Sequence, residues 1–354
     1  MSGSSLDGLD MAFVNFEENA GKWTFEILET DCKPYPAYWK DKLAGISNLS
    51  AKDYLLLHTL YGQWLGNAVN EFMDERNLNY RVQIIASHGH TTFHDPGRRM
   101  TAQIGDGAAI AAETGIRTIT DFRSVDVALG GQGAPIVPIG EKLLFPDYDL
   151  FLNIGGIANL SAKDSDRIGF DVCPANRILN LLAKGTEKGY DENGSLAATG
   201  RVDKNLLNEL NALNYYQHSY PKSLSNEFGL TEVFPLILNA GLSMHDALAT
   251  YVEHIAIQVT KSLISIREKF SGKEEPDLLT TGGGAHNGFL VERINNNLSS
   301  VGIKCIVPTE GLVDFKEALI IALMGALRWR EDVNVLHTVT GASKDSINGA
   351  VWSV

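Results

Sequence analysis

Leu150-Phe151-Leu152-Asn153-Ile154-Gly155-Gly156-Ile157-Ala158-Asn159-Leu160-Ser161 is the stretch from which the fold is read. Apolar strand formers flank a glycine pair, so the pattern predicts two strands joined by a tight turn. Arg167 to Val172 continues as a third strand, and a helix begins over Asn176 to Ala183. A long helix is predicted from Ala247 to Glu268, because Tyr251, Ile255, Val259 and Leu263 recur on one face. Leu278 to Thr281 then reads as a strand running into Gly282-Gly283-Gly284. The earlier half has the same form. Strands over Leu9 to Phe16 and Trp23 to Thr30 flank the polar turn Glu17 to Lys22, and a helix follows from Asp53 to Arg76. Gln83 to Ser87 is a short strand ending in His88-Gly89-His90-Thr91, Ala108 to Thr114 a helix, and Arg117 to Asp121 another strand. A glycine-bearing hairpin followed by alternating helices and strands, occurring twice, predicts an α/β protein of two similar domains. The Gly- and Pro-dense stretch Gly130 to Pro138 is the expected linker. The domains are therefore expected at 1–135 and 136–354, with the last helix packing back on the first.

Composition narrows the function classes. The chain has 354 residues, 44% apolar and 21% charged, which is ample for a packed core and excludes disorder as the main state. The net charge of −13 disfavours general affinity for nucleic acid or anionic membranes. It leaves room for an anion held locally by backbone N–H groups. Cys32, Cys173 and Cys305 are widely spaced, which fits neither a disulfide framework nor a structural zinc site. The first residues carry no export pattern, and the longest apolar run, Ala318 to Leu327, is about half of the ~20 residues a membrane crossing needs. A soluble cytoplasmic protein is expected.

Three loops could carry chemistry: Gly3-Ser4-Ser5-Leu6-Asp7-Gly8, Asn153 to Asn159, and Thr281 to Asn287. Glycine lets a backbone approach phosphate closely and turn its N–H groups onto the oxygens. Each loop is also readable as a plain tight turn. None has the P-loop pattern or a clean dinucleotide fingerprint. The third follows a strand and opens a helix at Asn287, whose dipole would favour an anion or polar base. Asp7 and Asp10 would repel phosphate unless a cation intervened, which suggests Mg²⁺; turn residues are the alternative. Asp171, at the end of a strand, is placed either as a general base or as a turn residue. Asp314-Phe315-Lys316-Glu317 has capping-box form, with Asp314 at the N-cap. His88, His90 and His94 lack the further ligands and spacing of a transition-metal site. Cys173 has no nearby His and reads as a small buried residue.

Met1 to Asp10 resembles the Met-Ser-Gly-Thr-Ser-Leu-Asp-Gly-Val-Asp opening of the anhydro-N-acetylmuramic acid kinases. Further matches follow in order: His88-Gly89-His90-Thr91 with His94, Gln103-Ile104-Gly105-Asp106, Asp121-Phe122-Arg123, and Ala128 to Pro135. Asn153 to Ser161, Pro221-Lys222-Ser223, Thr281 to Asn287 and Val339 to Ser343 complete a series spanning nearly the whole chain. The resemblance implies the two-domain actin-like ATPase fold of sugar kinases, actin and Hsp70-type proteins, with ATP and Mg²⁺ in an interdomain cleft. It implies that Gly3, Ser4, Ser5, Leu6, Asp7 and Gly8 form one phosphate loop, and Asn153, Gly155, Gly156 and Asn159 the second. Gly282, Gly283, Gly284 and Asn287 would hold adenosine, and Asp7 would hold Mg²⁺ directly or through water. Asp171 corresponds to the base that activates water against the anomeric carbon, and His90, Thr91, Arg123 and Glu317 to the sugar site. The implied reaction converts 1,6-anhydro-N-acetylmuramic acid, ATP and water to N-acetylmuramic acid 6-phosphate and ADP, in cell-wall recycling by a cytoplasmic homodimer.

The pattern departs from the family in four places. A short strand usually precedes the Met-Ser-Gly loop, whereas Met1 opens on that loop; a first domain built without it would lack a central strand. Phe170-Asp171-Val172-Cys173-Pro174-Ala175-Asn176 stands where Tyr-Asp-Thr-Gly-Pro-Gly-Asn is usual, so two glycines have gained side chains. His90 replaces Gln, and Ser225-Asn226 stands where Gly-Arg is typical. These changes bear on sugar choice more than on ATP. They keep two alternatives in view: a kinase of another amino sugar, and a non-catalytic ATP-binding relative.

Overall fold

The computed structural model describes residues 1–3, 6, 8–163, 168–220, 222–225, 227–269 and 275–354. The chain forms two compact units: Met1–Pro146 with Phe315–Val354, and Asp147–Asp314.

The first unit opens on a long hairpin of β1 (Gly8–Asn19) and β2 (Lys22–Pro34), antiparallel with a register shift between Phe13 and Val14. The helix Ala51–Glu75 starts where the Ser50 side chain accepts the Asp53 N–H, and it buries Leu57, Tyr61, Leu65, Ala68 and Phe72 at helical spacing. Next come β3 (Ile85–Ala86), β4 (His90–Asp95), β5 (Met100–Ile104) and β6 (Thr118–Thr120). β3 pairs parallel with β6, and the C-terminal strand Ala350–Trp352 pairs antiparallel on β6's other side. The predicted strand at Gln83–Ser87 is thus cut to two residues, because β3 has one neighbour only among the described residues. β4 and β5 form a hairpin that the polar run after His88 did not suggest.

The Gly130–Pro138 stretch does not behave as a linker. The N–H groups of Gly131 and Gly133 donate to the backbone and side chain of fully buried Asp126, and that of Gln132 to Thr340 O. The following helix, Pro138–Leu144, packs in the same unit: a Cβ on Gly140 would meet Ile320, and buried Lys316 pairs with buried Glu141. The first unit consequently runs to Pro146 and resumes at Phe315, where the sequence predicts a division at 135/136. The capping-box expectation also fails. The helix runs Glu310–Trp329, so Asp314 lies inside it, and its carboxylate bonds His286 Nε2 at 2.5 Å.

The second unit holds β7 (Leu150–Ile154), β8 (Ile157–Ala162), β9 (Ile168–Pro174), β10 (Asp277–Thr281) and β11 (Lys304–Ile306) in one sheet of order β11-β10-β7-β8-β9. β7, β8 and β9 run antiparallel, whereas β10 and β11 extend the sheet in parallel. The helix Met244–Ser265 sets Tyr251, Ile255, Val259 and Leu263 into the core at 0% exposure, along the face the periodicity predicts.

Candidate active site

In the second unit the ladder register draws several predicted residues into one row. Thr281 of β10 pairs with Asn153 of β7, Asn153 with Asn159 of β8, and Asn159 with Asp171 of β9. Residues directly opposite in a sheet share a face, so this polar row crosses a mostly apolar sheet. Thr281 is fully buried and its hydroxyl has no hydrogen-bond partner among the described residues.

The glycines divide by what they are for. Gly282 has φ +84°, and an added Cβ would lie 2.5 Å from Asn153 Oδ1. At Gly284 a Cβ would lie 2.2 Å from Ile154 Cγ2. Both glycines let the third loop seat on the end of β7. Gly155 and Gly156 are different: a Cβ there would meet nothing closer than 3.5 and 3.9 Å. Among the described residues nothing demands glycine at this turn, and the space a Cβ would fill is open. The Gly155 and Gly156 carbonyls accept from the 175–177 backbone, fixing the turn against the helix Asn176–Leu182. Asn287 caps the helix Gly288–Ser299, its side chain accepting the Leu290 N–H.

Asp171 is half-buried and held asymmetrically. Its Oδ2 accepts the Leu224 N–H at 2.8 Å, its N–H donates to Lys222 O, and its carbonyl accepts from Tyr215 Oη at 2.6 Å. Among the described residues Oδ1 accepts no hydrogen bond. Burial raises the Asp171 pKa above 3.8, only partly offset by the Leu224 N–H. Tyr215 and Lys222, whose ammonium lies 4.7 Å from the Tyr215 ring centroid, are partners that local sequence did not reveal. Cys173 is fully buried, and burial pushes its thiol pKa up, away from nucleophilic use.

In the first unit, Arg123 is the focus. Its Nε donates to His88 Nε2 at 2.9 Å and its Nη1 to Gly133 O at 2.5 Å. His88 Nδ1 lies 3.1 Å from Gly89 O, so the ring is neutral with its proton on Nδ1. Burial and the Arg123 charge depress the His88 pKa to about 3. Burial lowers that of Arg123 to about 10, against the raising effects of Glu317 and Asp126, so the guanidinium stays charged at neutral pH. His90 Nδ1 bonds Ser2 Oγ at 3.0 Å, and the chain continues through Tyr35 Oη to Tyr61 Oη. Burial lowers the His90 pKa. Thr91 is exposed on β4, its hydroxyl 3.4 Å from Gln103 Nε2. In the first loop, Leu6 has φ +56°, and Gly8 is required because a Cβ would strike Cys32 Sγ at 2.6 Å. Ser4, Ser5 and Asp7 lie outside the described residues, whereas Gly3 is half-buried beside them.

A profile of the anhydro-N-acetylmuramic acid kinase family matches residues 1–354. Anhydro-N-acetylmuramic acid kinases of Vibrio vulnificus, Aliivibrio fischeri and Coxiella burnetii are 31%, 33% and 34% identical to this chain. The alignments cover 100%, 99% and 99% of this chain and 97%, 97% and 96% of those proteins. Among solved structures, the activator of the 2-hydroxyisocaproyl-CoA dehydratase from Clostridium difficile with bound ADPNP overlays at TM-score 0.39 and 14% identity. It covers 91% of this chain and 98% of its own, a likeness too remote to bear on the chemistry. With a profile match from end to end and full-length relatives above 30% identity, this α/β chain belongs to the anhydro-N-acetylmuramic acid kinase family, kinases of the actin-like ATPase fold.

Proposed function

We propose that this chain opens 1,6-anhydro-N-acetylmuramic acid with water and passes the γ-phosphoryl of ATP to the freed 6-oxygen, with Asp171 as general base. The observation that carries the proposal is the asymmetric carboxylate: Oδ2 is fixed by Leu224 N–H, while Oδ1 has no donor among the described residues. A carboxylate so held can keep one oxygen aimed at a water. Partial desolvation makes it a stronger base than a solvated Asp.

The proton passes from water to Asp171 as the water oxygen bonds the anomeric carbon and the bond from that carbon to the 6-oxygen breaks. The 6-oxygen then attacks the γ-phosphorus and ADP leaves. Gly155 and Gly156 offer the close approach that phosphate oxygens need, and Gly282 to Gly284 with Asn287 form the adenosine loop. Arg123, fixed by His88 and Gly133 O, presents a charged fork to the sugar, with Glu317, Thr91 and His90 as further contacts. Mg²⁺ is suited to one carboxylate plus phosphate oxygens, the donor set that Asp7 and ATP would supply, and when bound it would neutralise phosphate charge. With this function go the cytoplasm and a homodimer, as the resemblance implies.

The test is ADP release measured over a panel of sugars. The anhydro sugar should be turned over and ordinary hexoses should not. Response to ordinary hydroxyls alone would remove the hydrolytic step, and nucleotide binding without turnover would make the chain a non-catalytic relative.

A further inference from the structure

Ala128 to Pro135 and Val339 to Ser343, distant in sequence, meet on one side chain within the first unit. Asp126 lies on the short helix Ser124–Ala128, just after Arg123, and is fully buried. Its Oδ2 accepts the Gly133 N–H at 2.8 Å, and its Oδ1 accepts the Thr340 hydroxyl at 2.6 Å. Its own N–H donates to Asn348 Oδ1 at 3.1 Å. A buried carboxylate is costly unless its oxygens are paired, and here each has a donor.

The turn around it is shaped to bring those donors in. Three successive N–H groups converge: Gly131 donates to Asp126 O at 2.9 Å, Gln132 to Thr340 O at 2.8 Å, and Gly133 to the carboxylate. A Cβ on Gly131 would lie 2.2 Å from Asp126 Oδ2, so the carboxylate fills the place of a side chain. Gly133 has φ +64°, and a Cβ there would lie 2.7 Å from Val127 Cγ2. Thr340 grips the turn twice, through its hydroxyl and its carbonyl, and Ser343 N–H donates to Leu129 O at 3.1 Å. Thr340 is itself set by the end of the helix His337–Thr340, which Gly341 closes at φ +77°.

The carbonyl of the same Gly133 faces Arg123. It accepts Arg123 Nη1 at 2.5 Å, while Arg123 Nε donates to His88 Nε2 at 2.9 Å. A guanidinium is a planar fork, so anchors at Nε and Nη1 fix its plane and leave its other N–H groups for a ligand. With the Gly133 anchor displaced, the plane can turn about the His88 contact. Burial lowers the Arg123 pKa, and the charges of Glu317 and Asp126 oppose that effect.

We propose that Asp126 is a positioning residue for Arg123: clamped by Thr340, it holds Gly133 so that the Gly133 carbonyl sets the plane of the guanidinium. The assignment rests on the reading of Arg123 as a contact of the sugar. It gives the two distant runs one shared task. It also makes Thr340, which touches no substrate in that reading, a determinant of sugar affinity.

The test uses three variants of the full chain. Asp126→Ala removes the acceptor for Gly133. Thr340→Val removes the clamp while keeping the side-chain shape, and so remains informative should Asp126→Ala fail to fold. Thr340→Ser keeps the hydroxyl and is the conservative rescue. The KM for 1,6-anhydro-N-acetylmuramic acid should rise about tenfold in Asp126→Ala and about threefold in Thr340→Val, with kcat and the KM for ATP nearly unchanged. Thr340→Ser should match wild type. Asp126→Ala added to Arg123→Lys should raise the sugar KM no further than Arg123→Lys alone, because residues acting through one contact are not additive.

Imidazole ¹⁵N spectra give a readout that needs no sugar. The His88 Nε2 signal should move toward that of a free acceptor nitrogen in Asp126→Ala and Thr340→Val, and stay in place in Thr340→Ser. A lowered Tm with the His88 signal and the sugar KM both unchanged would leave Asp126 a purely structural role and overturn the inference. Multiplicative KM effects in the double variant would overturn it as well. If the His88 signal moves while neither Arg123→Lys nor Asp126→Ala alters the sugar KM, the positioning of Arg123 stands and the reading of the sugar site fails.

Discussion

Asn159 of β8 stands directly opposite Asp171 of β9, and Asn159 is in turn opposite Asn153 of β7. Two residues of the proposed phosphate loop and the proposed base are therefore set by one sheet register. A one-residue slip would turn the row onto the other face. The β-bulge between Ala158 and Asn159 is what brings Asn159 into line with Asp171.

Replacing Asp171 by Asn should separate chemistry from stability. Asn keeps an acceptor for Leu224 N–H but cannot take a proton, so turnover should fall by about 10²–10⁴-fold. The Tm at pH 7 should hold or rise, because a partly buried charge is removed. Thermal melts alongside steady-state kinetics check both halves.

The pH dependence follows from the same shift. Asp171 has its pKa raised in the folded chain, so it favours folding when protonated, below about pH 3.8. That contribution is lost as pH rises through the folded value. The stability difference between wild type and D171N should thus open above pH 3.8 and vanish below it. The acid limb of kcat/KM should fall at a pH above 3.8, and should be absent from the residual rate of D171N.

The family and the main elements were legible in the sequence because they rest on local pattern. The Gly155–Gly156 hairpin, the long helix carrying Tyr251 and the order of glycine loops all come from short-range spacing. What was not legible depends on distant partners. Gly130–Pro138 has linker composition, yet a buried carboxylate at Asp126 and Thr340, far along the chain, pin it. Asp314 has the spacing of an N-cap but lies within a helix beginning at Glu310. The donor that holds Asp171 belongs to Leu224, 53 residues away. The His90–Asp95 strand exists through pairing with Met100–Ile104 rather than through any apolar alternation of its own.

The two kinds of glycine should respond oppositely to alanine. Gly282→Ala, with φ +84° and a Cβ 2.5 Å from Asn153 Oδ1, should cost about 1–3 kcal/mol of stability, read by denaturant unfolding. Gly156→Ala has room within the protein and should leave the Tm unchanged while raising the KM for ATP.

Arg123→Lys keeps the charge but loses the fork that spans His88 and Gly133 O. The KM for the sugar should rise about tenfold, equivalent to one charge-assisted hydrogen bond of ~1.5 kcal/mol. The KM for ATP should change little, and kinetics with each substrate varied in turn distinguish the two.

Mass spectrometry of the phosphorylated sugar formed in H₂¹⁸O tests the central claim most directly. Water attack at the anomeric carbon predicts one heavy oxygen in the sugar ring fragment and none in the transferred phosphoryl group. Product without that oxygen, or with it on phosphorus, would contradict a base-assisted opening by Asp171.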